Sequence, residues 1–375
     1  VSIAPDSHLG MTGITRYAEE ILSVFHSPIA SERIDLLLYM TVGGGRLKVL
    51  GDLTARLHKL LKIGQPGPVR GIYFEVVTGE FGAGKSHLAY MLKHNALTSE
   101  GEILVSHVQI TGEAGFPAAL AALLRSLRLS GHPSFRAHDI ELAAYRRLFE
   151  WCGRNPQQLL GLAYQQAGNV SQAAASDFAQ AVVEVSRPSP NAGPLQQFFD
   201  SWINRAEPKV ALECFELVFR LFRALNSQRF LLIIDEFEAI QSLDAESRKH
   251  ILQAFQDLHD DFAGRKQGLP GVHLVCFSTR DWTDQAGNIL PSLMGRNQRI
   301  KRVTHLPDMD ESDIAALMYR YLSLYQIARQ PRVTPTRQAL HDACGAIVAE
   351  VADMPYHMRS IHAKVRERVE DLLGL

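Results

Sequence analysis

The sequence has no long apolar run. Its hydrophobic stretches fall far short of the roughly 20 residues that cross a bilayer, so no membrane partner is expected. Cysteine is scarce: the four, Cys152, Cys214, Cys276 and Cys344, are far apart. That spacing excludes a disulfide scaffold and a structural zinc site, and it suits a reducing cytoplasm. No secretory signal is legible in the opening residues, which gives the same expected location. Excess charge of one sign is also missing, since 39 Lys and Arg face 40 Asp and Glu for a net charge of -1. A globally basic nucleic-acid clamp is thereby disfavoured, while a local basic surface stays open. The 15 histidines, among them His87, His273, His357 and His362, form no compact ligand set. His357 and His362 are five apart, a poor same-face spacing on a helix.

What is present is a 375-residue chain that is 46% hydrophobic, enough for one large domain or two ordinary ones. Its organising stretch is Gly79-Glu80-Phe81-Gly82-Ala83-Gly84-Lys85-Ser86. This fits the phosphate-binding pattern of Gly, any four residues, then Gly-Lys-Ser. Ile72 to Val77 reads as a buried strand before it, and His87 to Lys93 as a helix after it. Glycines let backbone N–H groups converge on phosphate oxygens, and the helix N-terminus adds favourable dipole charge. Lys85 is expected to reach the β- and γ-phosphates of ATP and Ser86 to ligate Mg²⁺. His87 has two readings, a contact to the phosphates or the helix dipole, and a packing role.

Upstream, helical spacing runs from Gly13 to Phe25, Ser31 to Met40 and Leu50 to Leu61. Gly43-Gly44-Gly45 reads as a flexible turn, because it lacks a Lys-Ser partner. Downstream, Ile103 to Ile110 reads as a strand. Helices are expected over Pro117 to Leu129, Asp139 to Cys152, Gln157 to Gln166, Ser171 to Val185, Leu195 to Asn204 and Val210 to Leu225. The Pro-rich stretch Arg187 to Pro194 reads as a linker or a stiff loop. The distance from Ser86 to the next motif is long for a compact nucleotide-binding core, so a helical insertion is expected at about residues 130 to 205.

The second motif is Phe230-Leu231-Leu232-Ile233-Ile234-Asp235-Glu236. Its apolar run predicts a central parallel strand with acids at the C-terminal end, where open α/β sheets hold ligands. Asp235 is expected to bind Mg²⁺, and Glu236 to accept a proton from the attacking water. A charged helix follows over Lys249 to Phe262, then a strand over Val272 to Phe277 that ends in Ser278-Thr279. Either hydroxyl suits holding the water or sensing the γ-phosphate, and either equally suits a cap. The basic run Arg296 to Arg302 leads to a short strand through His305. The last helices are Glu311 to Tyr325, capped by Asp308 or Asp310, then Thr334 to Val351 with Pro335 in its first turn, and Pro355 to Leu373.

In this order of motifs the chain resembles AAA+ ATPases, over roughly residues 14 to 110 and 210 to 375. Within them it is similar to the origin-recognition and initiator-loader branch, on Ile234-Asp235-Glu236-Phe237-Glu238. The P-loop with His87-Leu88 also looks like the ATP-binding proteins of bacterial phage-resistance islands, including the bacteriophage-exclusion type. The resemblance implies an α/β fold: a P-loop parallel-sheet core over residues 67–307, carrying the insertion, after a helical preamble over 1–66 and before a helical lid over 308–375. It implies ATP hydrolysis with Mg²⁺. It also implies a first sensor at Ser278 or Thr279, an arginine finger at Arg296 or Arg299 acting on a neighbouring subunit's ATP, and a second sensor at Arg359. Met354-Pro355 stands where the family often has Gly-Asn or Gly-Asp before that arginine. A homo-oligomer follows from the finger, with duplex DNA or a larger protein complex as further partners and phage defence as one setting.

Rival P-loop classes lack their signatures. No Asn-Lys-x-Asp guanine motif is present, and no Leu-Ser-Gly-Gly transporter signature. Two function classes remain: an ATPase acting on DNA or a DNA-bound complex, and a nucleotide-gated signalling or scaffold switch that recruits a protein effector.

Overall fold

The computed structural model describes residues 18–19, 22, 44–61, 72–80, 83–99, 103–110, 116–130, 137–226, 229–242, 271–279, 300–307, 310–331, 333–352 and 358–375. By packing, the chain forms two compact units, one of residues 1–51, 79–91 and 305–375 and the other of 52–78 and 92–304. Both are discontinuous in sequence.

The larger unit is built on a six-stranded sheet in the order β3-β2-β4-β5-β1-β6. The strands are β1 (Ile72–Thr78), β2 (Ile103–Gln109), β3 (Arg128–Leu129), β4 (Arg229–Asp235), β5 (Val272–Ser278) and β6 (Ile300–His305). β1, β5, β4 and β2 pair in parallel, and the two-residue β3 adds antiparallel to β2. β4 shows why the centre lies here. Phe230 to Ile234 are all buried, and an unbroken apolar run is what a strand covered on both faces requires. This is a mixed α/β fold with a mostly parallel sheet, a P-loop NTPase-like architecture.

Helices α3 (Phe116–Arg125), α4 (Ala137–Trp151), α5 (Pro156–Gln166), α6 (Gln172–Val185), α7 (Gly193–Phe199) and α8 (Pro208–Asn226) share one continuous core with the sheet. α8 buries Phe215, Phe219 and Phe222 on one face, and Phe219 stacks on Phe230 of β4 with ring centroids 4.2 Å apart. Caps set the edges of the inserted helices. The Asn155 side chain accepts from the Gln157 and Gln158 N–H groups, and Ser171 accepts from Ala174 N–H. The helix expected over Pro117 to Leu129 stops at Arg125, because Arg128 and Leu129 turn to pair with Val105 and Leu104. The helix expected to Asn204 passes into a π-turn at Asp200.

In the smaller unit, α9 (Glu311–Arg329), α10 (Arg337–Ala352) and α11 (Met358–Leu373) bury a common core with Ala18 and Leu22. Ile361, Val365, Val369 and Leu373 form its i, i+4 stripe on α11. Asp310 caps α9 with a full capping box through Asp313. Thr336 takes the cap position of α10, its hydroxyl accepting from Ala339 N–H, so Pro335 precedes the first turn instead of entering it. Two of the three glycines expected to form a flexible turn are helical, and Gly43 lies outside the described residues. Gly44 and Gly45 open α1 (Gly44–Leu60), and a Cβ on Gly45 would lie 2.6 Å from Pro307 Cγ. Close packing, not mobility, is what that glycine provides. The helices expected at Ser31 to Met40 and Lys249 to Phe262, and Asp308, lie outside the described residues, as does most of Gly13 to Phe25.

Candidate functional site

β1 ends at Thr78, and the glycine-rich stretch starts at the next residue. Helix α2 (Lys85–Leu97) follows, two residues earlier than the apolar spacing implies, so Lys85 and Ser86 form its first turn. Gly84 carries φ +88°, the left-handed region that suits glycine. Gly79 is closely packed: a Cβ there would lie 3.2 Å from both Ala83 Cβ and Leu306 Cβ. Lys85 is buried, and its Nζ donates to the carbonyls of Gly79 and Glu80, each at 3.1 Å. Ala83 N–H donates to Glu80 O at 3.0 Å, and Leu88 N–H to Gly84 O at 3.0 Å. A buried ammonium beside a helix N-terminus is an anion-binding arrangement. Phe81 and Gly82 lie outside the described residues.

His87 sits in the same helical turn. Burial and then the Arg46 charge hold its imidazole down to about 4. His362 of α11 is held down to about 3 by burial, with His87 and Arg46 adding to the effect. Tyr321 Oη lies 3.0 Å from His362 Nδ1. Helices α2 and α11 therefore each carry a half-buried imidazole that is held neutral.

The acids stand where a central strand predicts them. Asp235 closes β4, buried, with Oδ1 accepting from the Glu236 N–H at 3.0 Å. Glu236 has φ +54°, a conformation that costs a non-glycine residue roughly 1 kcal/mol. Strand order places β5 between β4 and β1. Thr78 and Ser278 are register partners, and Ile234 pairs with Cys276. The C-terminal ends of β1, β5 and β4 thus lie side by side, bringing Thr78, Ser278 and Asp235 to one edge. Ser278 is fully buried, and its Oγ has no hydrogen-bond partner among the described residues. A buried hydroxyl left this way costs about 1–3 kcal/mol. Thr279 is only half-buried.

Arg296 and Arg299 lie outside the described residues. Arg359 belongs to the first turn of α11, its side chain beyond the described part. Among the described residues no group of three or more His, Cys, Asp or Glu gathers as a metal site. Magnesium carried by a nucleotide needs only one or two protein oxygens, and a serine hydroxyl such as that of Ser86 and a carboxylate such as that of Asp235 are each oxygens of the kind it takes. Sequence reasoning missed two features. One is Arg46 of α1, buried, whose Nε donates to Ala83 O at 3.3 Å. The other is a buried ionic group in the sheet: Glu75 accepts from Arg56 Nε at 3.0 Å and meets His273 Nε2 at 3.0 Å. The alternation of β1 gave no sign of Glu75, since a lone acid in an apolar strand carries no periodic signal.

No protein-family model and no curated protein matches the chain. Among solved structures it is similar to the Aeropyrum pernix ORC2 protein in its ADPNP–ADP complexes, at 13% identity and TM-score 0.43, covering 87% of this chain and 68% of that one. The ADP form of ORC2 gives 11% and 0.44, covering 93% and 70%. C. elegans PCH-2 gives 11% and 0.35, covering 91% and 73%. This is a distant likeness and transfers no residue's role. Among the described residues no helix is long and apolar enough to cross a membrane.

Proposed function

We propose that the protein binds and hydrolyses ATP as an AAA+-type ATPase of the origin-recognition-like branch, and that its nucleotide state controls assembly and action on DNA or a DNA-bound complex. The observation that carries the reading is the strand–loop–helix at residues 72–97, with Gly84 left-handed and Lys85 folded onto the loop's own carbonyls.

In this reading Lys85 neutralises the β- and γ-phosphates, and the N–H groups of Gly79 to Ser86 receive their oxygens. Ser86 and Asp235 are the oxygens offered to Mg²⁺, which spreads charge off the leaving diphosphate. Glu236 orients the attacking water and accepts its proton. The buried, unpartnered hydroxyl supports Ser278 over Thr279 as the group that reads the γ-phosphate or water. Arg296 or Arg299 acts in trans, Arg359 reads the nucleotide from the lid, and His87 stays neutral beside the loop. The cytoplasm is the expected location, and phage defence one setting.

The test is the mass of the Glu236→Gln protein by light scattering, without nucleotide, with ADP, and with ATP plus Mg²⁺, each with and without duplex DNA. An ATP-dependent assembly that tightens on DNA is expected. Assembly on ATP that ignores DNA moves the function to a nucleotide-gated scaffold recruiting a protein effector. A mass that ignores nucleotide altogether refutes nucleotide-controlled assembly.

A further inference from the structure

Three carbonyls of the phosphate loop accept hydrogen bonds from side chains, two from within the loop and one from outside it. Gly79 O and Glu80 O accept from Lys85 Nζ. Ala83 O accepts from Arg46 Nε, a bond between residues 37 apart in sequence. Arg46 is only 8% exposed, so this guanidinium is set into the protein and is not a solvated surface charge. Its position is fixed locally: Gly45 beside it packs on Pro307, and Gly79 packs on the adjacent Leu306.

In a trans peptide the C=O and the following N–H point in opposite directions. Holding Ala83 O toward Arg46 therefore turns the Gly84 N–H the other way. Gly84 can meet this because its φ of +88° is open to glycine. A loop whose amides are oriented beforehand binds an anion without the cost of reorganising them.

We propose that Arg46 is a positioning residue for the phosphate loop, which orients the Ala83–Gly84 peptide so that the Gly84 N–H is presented to a di- or triphosphate. The proposal rests on the phosphate-site reading of residues 79–86. It adds an arm from α1 that acts through the backbone, without touching the nucleotide.

The experiment titrates the full chain with magnesium pyrophosphate and Mg-ADP by calorimetry, comparing wild type, Arg46→Met, Arg46→Lys and Lys85→Ala. Arg46→Met should bind pyrophosphate about tenfold more weakly, the worth of one charge-assisted hydrogen bond. Arg46→Lys, which keeps a cationic donor, should recover most of the loss. A space-filling role would be met by methionine as well as by lysine. The Gly84 amide resonance should move downfield on pyrophosphate in wild type, and this measurement decides the matter if Arg46→Met does not fold. Equal pyrophosphate affinity of wild type and Arg46→Met, with binding lost in Lys85→Ala, overturns the Arg46 proposal alone. So does an unmoved Gly84 amide in a wild type that binds. If wild type binds neither ligand, the phosphate-site reading falls and the proposal falls with it.

Discussion

Replacing Ser278 by alanine tests whether the end of β5 is built for a ligand or for the fold. The side chain is fully buried and its Oγ has no partner among the described residues. Leaving a buried hydroxyl unmet costs about 1–3 kcal/mol, while losing one atom's packing costs a fraction of that. Ser278→Ala should therefore leave the nucleotide-free protein as stable as wild type or more stable by about 1 kcal/mol. Loaded with Mg-ATP, the order should invert, because only serine gains a bond from the ligand. Turnover should fall by about 100-fold, as for loss of one preorganised donor. Urea unfolding with and without nucleotide, and single-turnover hydrolysis, read the two effects. A nucleotide-free variant less stable by more than about 1 kcal/mol would show the hydroxyl to be structural. Unchanged turnover would remove Ser278 from the site.

Two glycines of α1 should respond oppositely to alanine. Gly45→Ala should destabilise by about 1–3 kcal/mol, because its Cβ meets the rigid Pro307 ring at 2.6 Å. Gly51→Ala, with nothing within 4 Å of its Cβ, should stabilise by up to about 1 kcal/mol; equal thermal shifts would contradict the packing reading. Stability should also fall steeply with acid. His87 is held down to about 4, His362 to about 3 and His107 to about 3, chiefly by burial. In the unfolded chain they titrate near 6.5, so below that pH the unfolded chain binds more protons. The unfolding free energy should be full above pH 6.5 and decline toward pH 4, on the order of several kcal/mol. His362→Gln should flatten the decline in urea titrations; an unchanged slope would contradict the neutral imidazole.

How much could be read from the sequence depended on whether the cause was local. The strand, glycine-rich stretch and helix at residues 72–97 were legible because the glycines, lysine and serine of the pattern are contiguous. The acids were legible because an apolar run bounded by charge has few readings. Sheet order was not, since pairing of β1 with β5 joins residues 200 positions apart, such as Glu75 and Val275. β3 was read as helix because a two-residue strand has no period of its own and exists only through β2. Gly44 and Gly45 were read as a turn because composition cannot reveal the proline that packs there. Arg46 escaped for the same reason: its partner is a backbone carbonyl, which leaves no mark in a side-chain pattern.

The central claim is that residues 79–86 with Asp235 and Glu236 form an ATP-hydrolysing site. Measuring Mg-ATP binding and phosphate release for wild type, Lys85→Ala and Glu236→Gln tests it most directly. The account predicts that Glu236→Gln binds as wild type does and releases phosphate about 100-fold more slowly or less, and that Lys85→Ala loses affinity. Wild-type hydrolysis by Glu236→Gln, or wild-type affinity in Lys85→Ala, would contradict it.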